Sequence, residues 1–226
     1  MASPRVLVFS RTTGYRHESI PAGVAALRRV ATRAGFAVDA TEDPSVFTGA
    51  DLRTYQAMVF LQTTGPVLDA AARDAVAGFI TGGGGFLGVH AAILAEPDWP
   101  FYRDLLGAEF TGHPEVQAGV VDVRTRDHPA TAGLPPRWER VDEWYDFAAR
   151  PTGVRTLLAA DEASYAGATM GEPHPLAWCH DRLGGRMFYT ALGHTVEAYS
   201  EPLFLEHLSG ALGYVTFEGP TPGPQT

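Results

Sequence analysis

Residues 82–92 have the sequence GGGGFLGVHAA, which joins a glycine run, a short apolar segment and a histidine between small residues. Glycine adopts the left-handed conformation at helix C-termini without a steric penalty, so the run predicts the end of a helix. Residues 86–89 have the length and apolarity of a buried parallel strand. Residues 88–92 then follow the small-x-polar-x-small pattern of a nucleophile elbow, a sharp turn that projects its central side chain above a sheet.

The central residue of this turn is His90, whereas an elbow normally presents a serine or a cysteine. An imidazole can act as a base, an acid, a hydrogen-bond donor or a metal ligand. The alternative is a histidine that only caps the following helix, and the pattern by itself leaves both interpretations open.

The segments around this turn alternate between apolar strands and amphipathic helices. Strands are predicted at 5–10, 36–40 and 55–61, and the intervening helices begin near the expected N-caps Ser19 and Asp69. Such an alternation predicts a parallel sheet with right-handed crossovers, whose strand C-termini meet at one edge. Ligands of open α/β sheets bind at that edge.

The pattern changes after residue 99, where a short helix and a tight turn at 110–114 are expected. Alternating and apolar runs then predict an additional antiparallel strand region, with Gly184-Gly185 as a hairpin turn. Its strands are expected at 116–124, 154–160, 176–180 and 186–192. The fold class predicted for the whole chain is therefore α/β, with a mostly parallel central sheet between helical layers.

Length and composition narrow the function class. The 226 residues suit one domain, which we place at 1–218, followed by a Pro/Gly-rich tail at 219–226 that is expected to be disordered. A net charge of −9 argues against nucleic acid or an anionic membrane as a partner. The first residues lead directly into a strand without an apolar signal region, so a cytoplasmic location is expected. A homo-oligomer is left open.

Four histidines fall on loops or turns that this fold directs toward the same edge. They are His17, His90, His113 and His194. Asp142 and Glu143 would point to opposite faces of a strand, so at most one of them enters the site, and Glu143 is the expected one.

Several motifs together resemble the ThuA-like (trehalose utilisation) family of the class I glutamine-amidotransferase-like superfamily. The resemblance covers nearly the whole chain. The matching segments are 14–20 (GYRHESI), 83–92, 112–114 (GHP), 128–134, 142–145 (DEWY) and 185–194. The resemblance implies a flavodoxin-like three-layer sandwich and a role in sugar metabolism.

The comparison with amidotransferases also argues against one activity. Those enzymes attack glutamine with an elbow cysteine that is activated by a histidine and oriented by a glutamate. Here His194 and the nearby Glu197 remain, although the gap between them is two residues instead of one, and the elbow holds His90. The only cysteine, Cys179, lies inside a predicted strand, where a small buried filler is expected. A glutamine amidotransferase is therefore not expected.

Two functions stay open. The first is a carbohydrate-active isomerase, lyase or hydrolase acting on a (keto-)glycoside or disaccharide, in which His90, Glu143, His194 and His17 carry acid–base chemistry. The second is a non-catalytic sugar-binding or regulatory module on the same scaffold. In both cases a small carbohydrate is the expected ligand. The expected substrate-binding residues are Tyr15, Arg16, His113, Trp144 and Tyr145.

No redox cofactor is expected, because the loop after the first strand lacks a dinucleotide fingerprint. A hydride step would belong to a separate sugar dehydrogenase. A divalent metal is left open: His90, His113 and His194 with Glu143 or Glu197 would suit an open zinc-type site, but no local metal-binding signature is present.

Overall fold

The computed structural model describes residues 4–49 and 51–216, and a nine-stranded mixed sheet forms its centre. Its strands lie in the order β2 (Ala37–Thr41), β1 (Arg5–Phe9), β3 (Tyr55–Leu61), β4 (Gly85–Val89), β11 (Met187–Thr190), β10 (His174–His180), β9 (Arg155–Asp161), β6 (Gln117–Val123) and β7 (Arg137–Asp142). Two short strands, β5 (Phe110–Gly112) and β8 (Asp146–Phe147), pair with each other separately. The predicted tail at 219–226 lies outside the described residues.

Five neighbouring strands, from β2 to β11, are parallel. In the register of this half, Val89 lies opposite both Leu61 and Thr190. The C-termini of β3, β4 and β11 therefore meet at one edge, and β1 ends beside them. This arrangement confirms the predicted convergence of strand ends.

The helices form layers on both faces of the sheet. They are α1 (Ile20–Arg33), α2 (Val46–Gly49), α3 (Ala70–Thr81), α4 (Pro100–Leu106) and α5 (Pro202–Thr216). A Cβ atom on Gly84 would lie 2.3 Å from Phe79 of α3, whereas one on Gly85 would lie 2.0 Å from the Val215 carbonyl oxygen of α5. Successive side chains in extended chain point to opposite faces, so α3 and α5 cover opposite sides of β4. The predicted flavodoxin-like three-layer α/β fold is confirmed.

The second half of the sheet is antiparallel, as predicted, from β11 to β7. One local prediction was wrong. Residues 110–112 form β5 instead of part of a tight turn, and Phe110 pairs with Phe147 of β8. Three residues are too short to show a strand period, and the partner strand is distant in the chain, so the pairing had no sequence signal.

Among the described residues, the helices are all too short or too polar to cross a membrane.

Candidate functional site

His90 is the first residue after β4 and begins a 3-10 turn, His90–Leu94. Its φ of +52° is unusual for a residue with a Cβ atom and matches the strained turn expected at an elbow. The ring is fully buried, and its Nδ1 lies 2.6 Å from the carbonyl oxygen of Ala191. A carbonyl can only accept, so Nδ1 carries a hydrogen, and Nε2 faces the strand-end edge of the sheet.

Glu143 joins three of the predicted histidines. Its Oε2 lies 3.4 Å from His90 Nε2 and 3.1 Å from His194 Nδ1, and its Oε1 lies 3.1 Å from His113 Nδ1. The ring nitrogens of His90 and His194 are 3.3 Å apart. The carboxylate therefore contacts imidazoles from three separate chain segments.

His17 completes the buried part of this cluster. Its ring centroid lies 4.9 Å from that of His90 and 5.1 Å from that of His194. It is 4 % exposed, and its Nδ1 has no hydrogen-bond partner among the described residues. Its loop is held in place by Thr64, whose carbonyl accepts from Thr13 N and whose hydroxyl donates to the Tyr15 carbonyl.

Asp142 holds the backbone of the cluster in place, a role that the sequence did not predict. Its carboxylate accepts backbone N–H bonds from Glu143 (2.9 Å), Gly193 (2.9 Å) and His194 (3.0 Å). Arg140, also buried, places Nη2 2.8 Å from Asp142 Oδ2. Asp142 is therefore a buried anchor of the Glu143 and His194 backbones, not a solvated group.

Ser19 and Gln62 form a second anchor. Ser19 was predicted to cap α1, but its backbone is helical and its hydroxyl donates instead to the His194 carbonyl at 2.6 Å. Gln62 follows β3 with a φ of +52°, and its amide donates to the Gly193 carbonyl at 2.6 Å and to the Tyr199 hydroxyl at 2.8 Å. In the sequence, Gln62 is marked only by a polar stretch, residues 62–65 (QTTG), directly after the third predicted strand.

The charges of the cluster are coupled. Burial opposes ionisation of Glu143, but hydrogen bonds from His194 and His90 outweigh it and hold the pKa of this carboxyl well below its ordinary value. The hydrogen bond to Glu143 raises the pKa of His194 in turn, against the effect of burial. Burial, followed by the nearby rings of His90 and His194, lowers the pKa of His17 to about 3. The site therefore holds a carboxylate beside a readily protonated imidazole and a neutral one.

The residues expected to bind substrate separate into different environments. The Tyr145 hydroxyl lies 3.0 Å from His90 Nε2, and His113 is partly exposed at the rim of the cluster. Tyr15 is 66 % exposed and places its ring edge against His17. Arg16 is exposed and forms a two-pronged ion pair with Glu42 (2.7 and 3.0 Å).

The prediction that Trp144 stacks on a ligand was wrong. Its side chain is fully buried, its indole N–H donates to the Gln117 carbonyl at 3.1 Å, and its ring stacks on Tyr165. Gly119 leaves the space for this ring, since a Cβ atom there would lie 2.5 Å from it. Aromatic residues next to a site are often core residues, because sequence does not show which way they point.

Two further candidates lie away from the cluster. Cys179 is buried in β10, where burial raises the pKa of its thiol to about 11, as expected for a core residue without nucleophilic activation. Glu197 is exposed in a 3-10 turn and is not among the groups that converge with His194.

Fold and site together define an α/β protein of the flavodoxin-like class that carries a histidine–carboxylate cluster where an elbow nucleophile would stand. The chain belongs to the ThuA family, described as trehalose utilisation, whose model matches residues 5–215. This membership supports a role in sugar metabolism. A search of curated proteins found no match.

Solved structures share the fold. A ThuA-like protein from Bacteroides uniformis is 24% identical with a TM-score of 0.80, over 95% of this chain and 93% of that one. A ThuA-like protein from Parabacteroides merdae is 21% identical with a TM-score of 0.73, over 97% and 94%. A cytoplasmic protein from Salmonella typhimurium is 13% identical with a TM-score of 0.65, over 93% and 98%.

Proposed function

We propose that this protein is a sugar-utilisation enzyme that acts on a (keto-)glycoside or disaccharide by histidine–glutamate acid–base chemistry. The observation that carries the proposal is the contact of one carboxylate, Glu143, with His90, His113 and His194 at the ligand-binding edge of the sheet. The family description, trehalose utilisation, supports a carbohydrate as the substrate.

The chemistry requires a base and an acid on the same substrate. A carbonyl acidifies the C–H bonds beside it, so a carboxylate can remove such a proton and an imidazole can return one to oxygen or carbon. Glu143 is the proposed base, and the histidines around it polarise the substrate oxygen and return the proton. This sequence of steps serves isomerisation or elimination and requires no covalent enzyme intermediate.

Access to the cluster is from the side of Tyr15 and His113. Both side chains are exposed beside buried cluster members, His17 and Glu143 respectively. An exposed aromatic face suits the apolar C–H surface of a sugar ring, and the Tyr145 hydroxyl inside the site suits a hydroxyl or carbonyl oxygen.

A keto-sugar must be formed by oxidation before it reaches this site. We assign that step to a separate sugar dehydrogenase, and we place this protein with it in the cytoplasm. The cytoplasmic assignment is supported by the Salmonella structure of the same fold, which is described as a cytoplasmic protein.

The test is incubation of the protein with trehalose, simple glucosides and their 3-keto forms, followed by product analysis by NMR in deuterated water. Turnover, or deuterium entering the carbon beside the carbonyl, is expected with at least one of them. Glu143→Gln should lose at least about 100-fold in rate, the usual contribution of a general base. Glu139→Gln, an identical change at an exposed position of β7, is the matched control and should retain the activity.

Two outcomes would contradict the proposal. Saturable sugar binding without any turnover would show a binding or regulatory module. Full activity in Glu143→Gln would move the chemistry to other residues.

A further inference from the structure

We propose that His90, His194 and Glu143, together with His17, bind one divalent metal ion of the zinc type. The inference rests on the proposed function for the role of the site and deepens it by naming a cofactor class. The metal would polarise the substrate oxygen, a task otherwise left to the histidines.

The spacing of three donor atoms fits such an ion. His90 Nε2, His194 Nδ1 and Glu143 Oε2 form a triangle with edges of 3.1, 3.3 and 3.4 Å. Tetrahedral zinc with bonds of about 2.0–2.1 Å requires donor–donor distances of about 3.3 Å. The triangle therefore matches one face of a tetrahedral site, and with His17 as a fourth protein ligand a five-coordinate site would keep a position for water or substrate.

The ligands are also oriented as metal ligands are. The Ala191 carbonyl holds a hydrogen of His90 on Nδ1, which leaves Nε2, beside Glu143 and His194, as the nitrogen available to a metal ion. Asp142 fixes the backbone of both Glu143 and His194 by accepting their N–H groups. Outer contacts of this kind fix the geometry of metal ligands in proteins.

His17 supplies the independent observation. This imidazole is 4 % exposed, and its Nδ1 is buried with no hydrogen-bond partner among the described residues. Each of His17, His90, Glu143 and His194 offers a donor atom within 4.8 Å of those of the other three. A buried unpartnered nitrogen is costly, and coordination is one interaction that would compensate for it.

A second group of metal-ligand residues shows the contrast. Asp146, Glu162 and His174 also lie close together. However, His174 Nδ1 is 2.8 Å from Glu162 Oε1, and its Nε2 is 2.8 Å from the Tyr145 carbonyl. Glu162 in addition accepts from the backbone N–H groups of Met170 and Gly171. Asp146 Oδ1 has no hydrogen-bond partner among the described residues, but both nitrogens of His174 are engaged, so this group has no free imidazole nitrogen for a metal ion.

A metal at the cluster would redistribute the catalytic roles. Tyr145 and His113 contact the ligand set from outside, through His90 Nε2 and Glu143 Oε1. With Glu143 bound through Oε2, its Oε1 would remain beside His113 as the base, and Tyr145 and His113 would assist the proton transfer.

The test uses the full chain, purified without a histidine tag and treated with chelator. Titration with ZnCl₂ alone, followed by calorimetry, should show one equivalent bound. CoCl₂ should give the visible absorption of a four- or five-coordinate N/O site. His194→Ala and Glu143→Gln should each weaken zinc binding at least about tenfold. His180→Gln, at a buried histidine outside the cluster, should bind zinc as the wild type does.

The alternatives give different results. Failure of the wild type to bind a stoichiometric amount of either metal would overturn the inference, and this result does not depend on whether any variant folds. Loss of binding in Glu162→Gln but not in Glu143→Gln would move the metal to the other group and also overturn it. Metal binding without turnover of any sugar would support this inference while contradicting the proposed function. Sugar turnover by a wild type that binds no metal would support the proposed function while contradicting this inference.

Discussion

His90 occupies a backbone conformation, φ +52°, that is unfavourable for every residue except glycine and a few polar ones. Its neighbour Gln62, at the end of the adjacent strand, has the same φ. Backbone strain at two adjacent strand ends is typical of functional sites, where the surrounding structure holds it in place. Substitution of His90 can distinguish the effect of the backbone strain on stability from the effect of the ring contacts.

His90→Gly and His90→Ala remove the same ring contacts but differ in backbone preference. The alanine variant should be less stable than the glycine variant by about 1 kcal/mol, because only alanine pays the cost of the left-handed conformation. Urea unfolding of both variants measures the difference. An alanine variant as stable as the glycine variant would show that the turn relaxes and that the strain is not held by the fold.

Substitution of Cys179 tests whether a thiol takes part in catalysis. Its Sγ lies 3.8 Å from His128 Nε2 within the core. Burial raises the pKa of the thiol to about 11, so the thiol is not activated as a nucleophile. Cys179→Ala should therefore cost roughly 1 kcal/mol of stability through lost packing and leave sugar turnover unchanged. Loss of turnover with an unchanged melting temperature would point to a catalytic thiol.

At the scale of elements, the contact between β4 and α5 depends on the absence of a side chain at Gly85. A Cβ atom there would lie 2.0 Å from the Val215 carbonyl oxygen, which belongs to the helix backbone and cannot move aside alone. His90 directly follows β4, so the close packing of β4 against α5 also determines where His90 lies relative to the sheet.

Two glycine-to-alanine changes test this packing. Gly85→Ala should destabilise the protein by about 2–3 kcal/mol, as overpacking of a core does. Gly78→Ala, at an exposed position of α3 with no atom within 4 Å of the new Cβ, should instead stabilise the protein by about 0.5–1 kcal/mol. Melting temperatures that shift in opposite directions are expected. Equal shifts would mean that α5 is free to move away from β4.

Whether a feature could be predicted from the sequence depends on the kind of contact that determines it. The strand 55–61 could be predicted because residues 57–61 form an uninterrupted apolar run. The meeting of strand ends followed from the handedness of parallel connections. The orientation of Trp144 and the hydroxyl contact of Ser19 with His194 could not, since each depends on a partner distant in the chain. Asp142 was expected on the face opposite Glu143, but its three backbone partners appear only in the folded molecule.

At the scale of the whole molecule, buried neutral histidines link stability to pH. His207 in α5 is fully buried between the Ala130 carbonyl and the Thr190 hydroxyl, and burial lowers its pKa to about 4. His128 is also buried, and burial lowers its pKa to about 4 as well. Neither ring contacts the candidate site, so this effect belongs to the fold and not to catalysis.

We expect the free energy of unfolding to fall as pH decreases from about 6.5 toward 4. In this window the unfolded chain binds protons at its histidines, whose ordinary pKa is near 6.5, whereas the folded protein keeps His207 and His128 neutral; protons therefore favour the unfolded state. Each of the two should remove on the order of 2 kcal/mol between pH 8 and pH 5. Urea unfolding at those two pH values measures the loss, and His207→Gln should reduce it because glutamine does not titrate. A loss that is the same in His207→Gln as in the wild type would show that other groups carry the pH dependence of this fold.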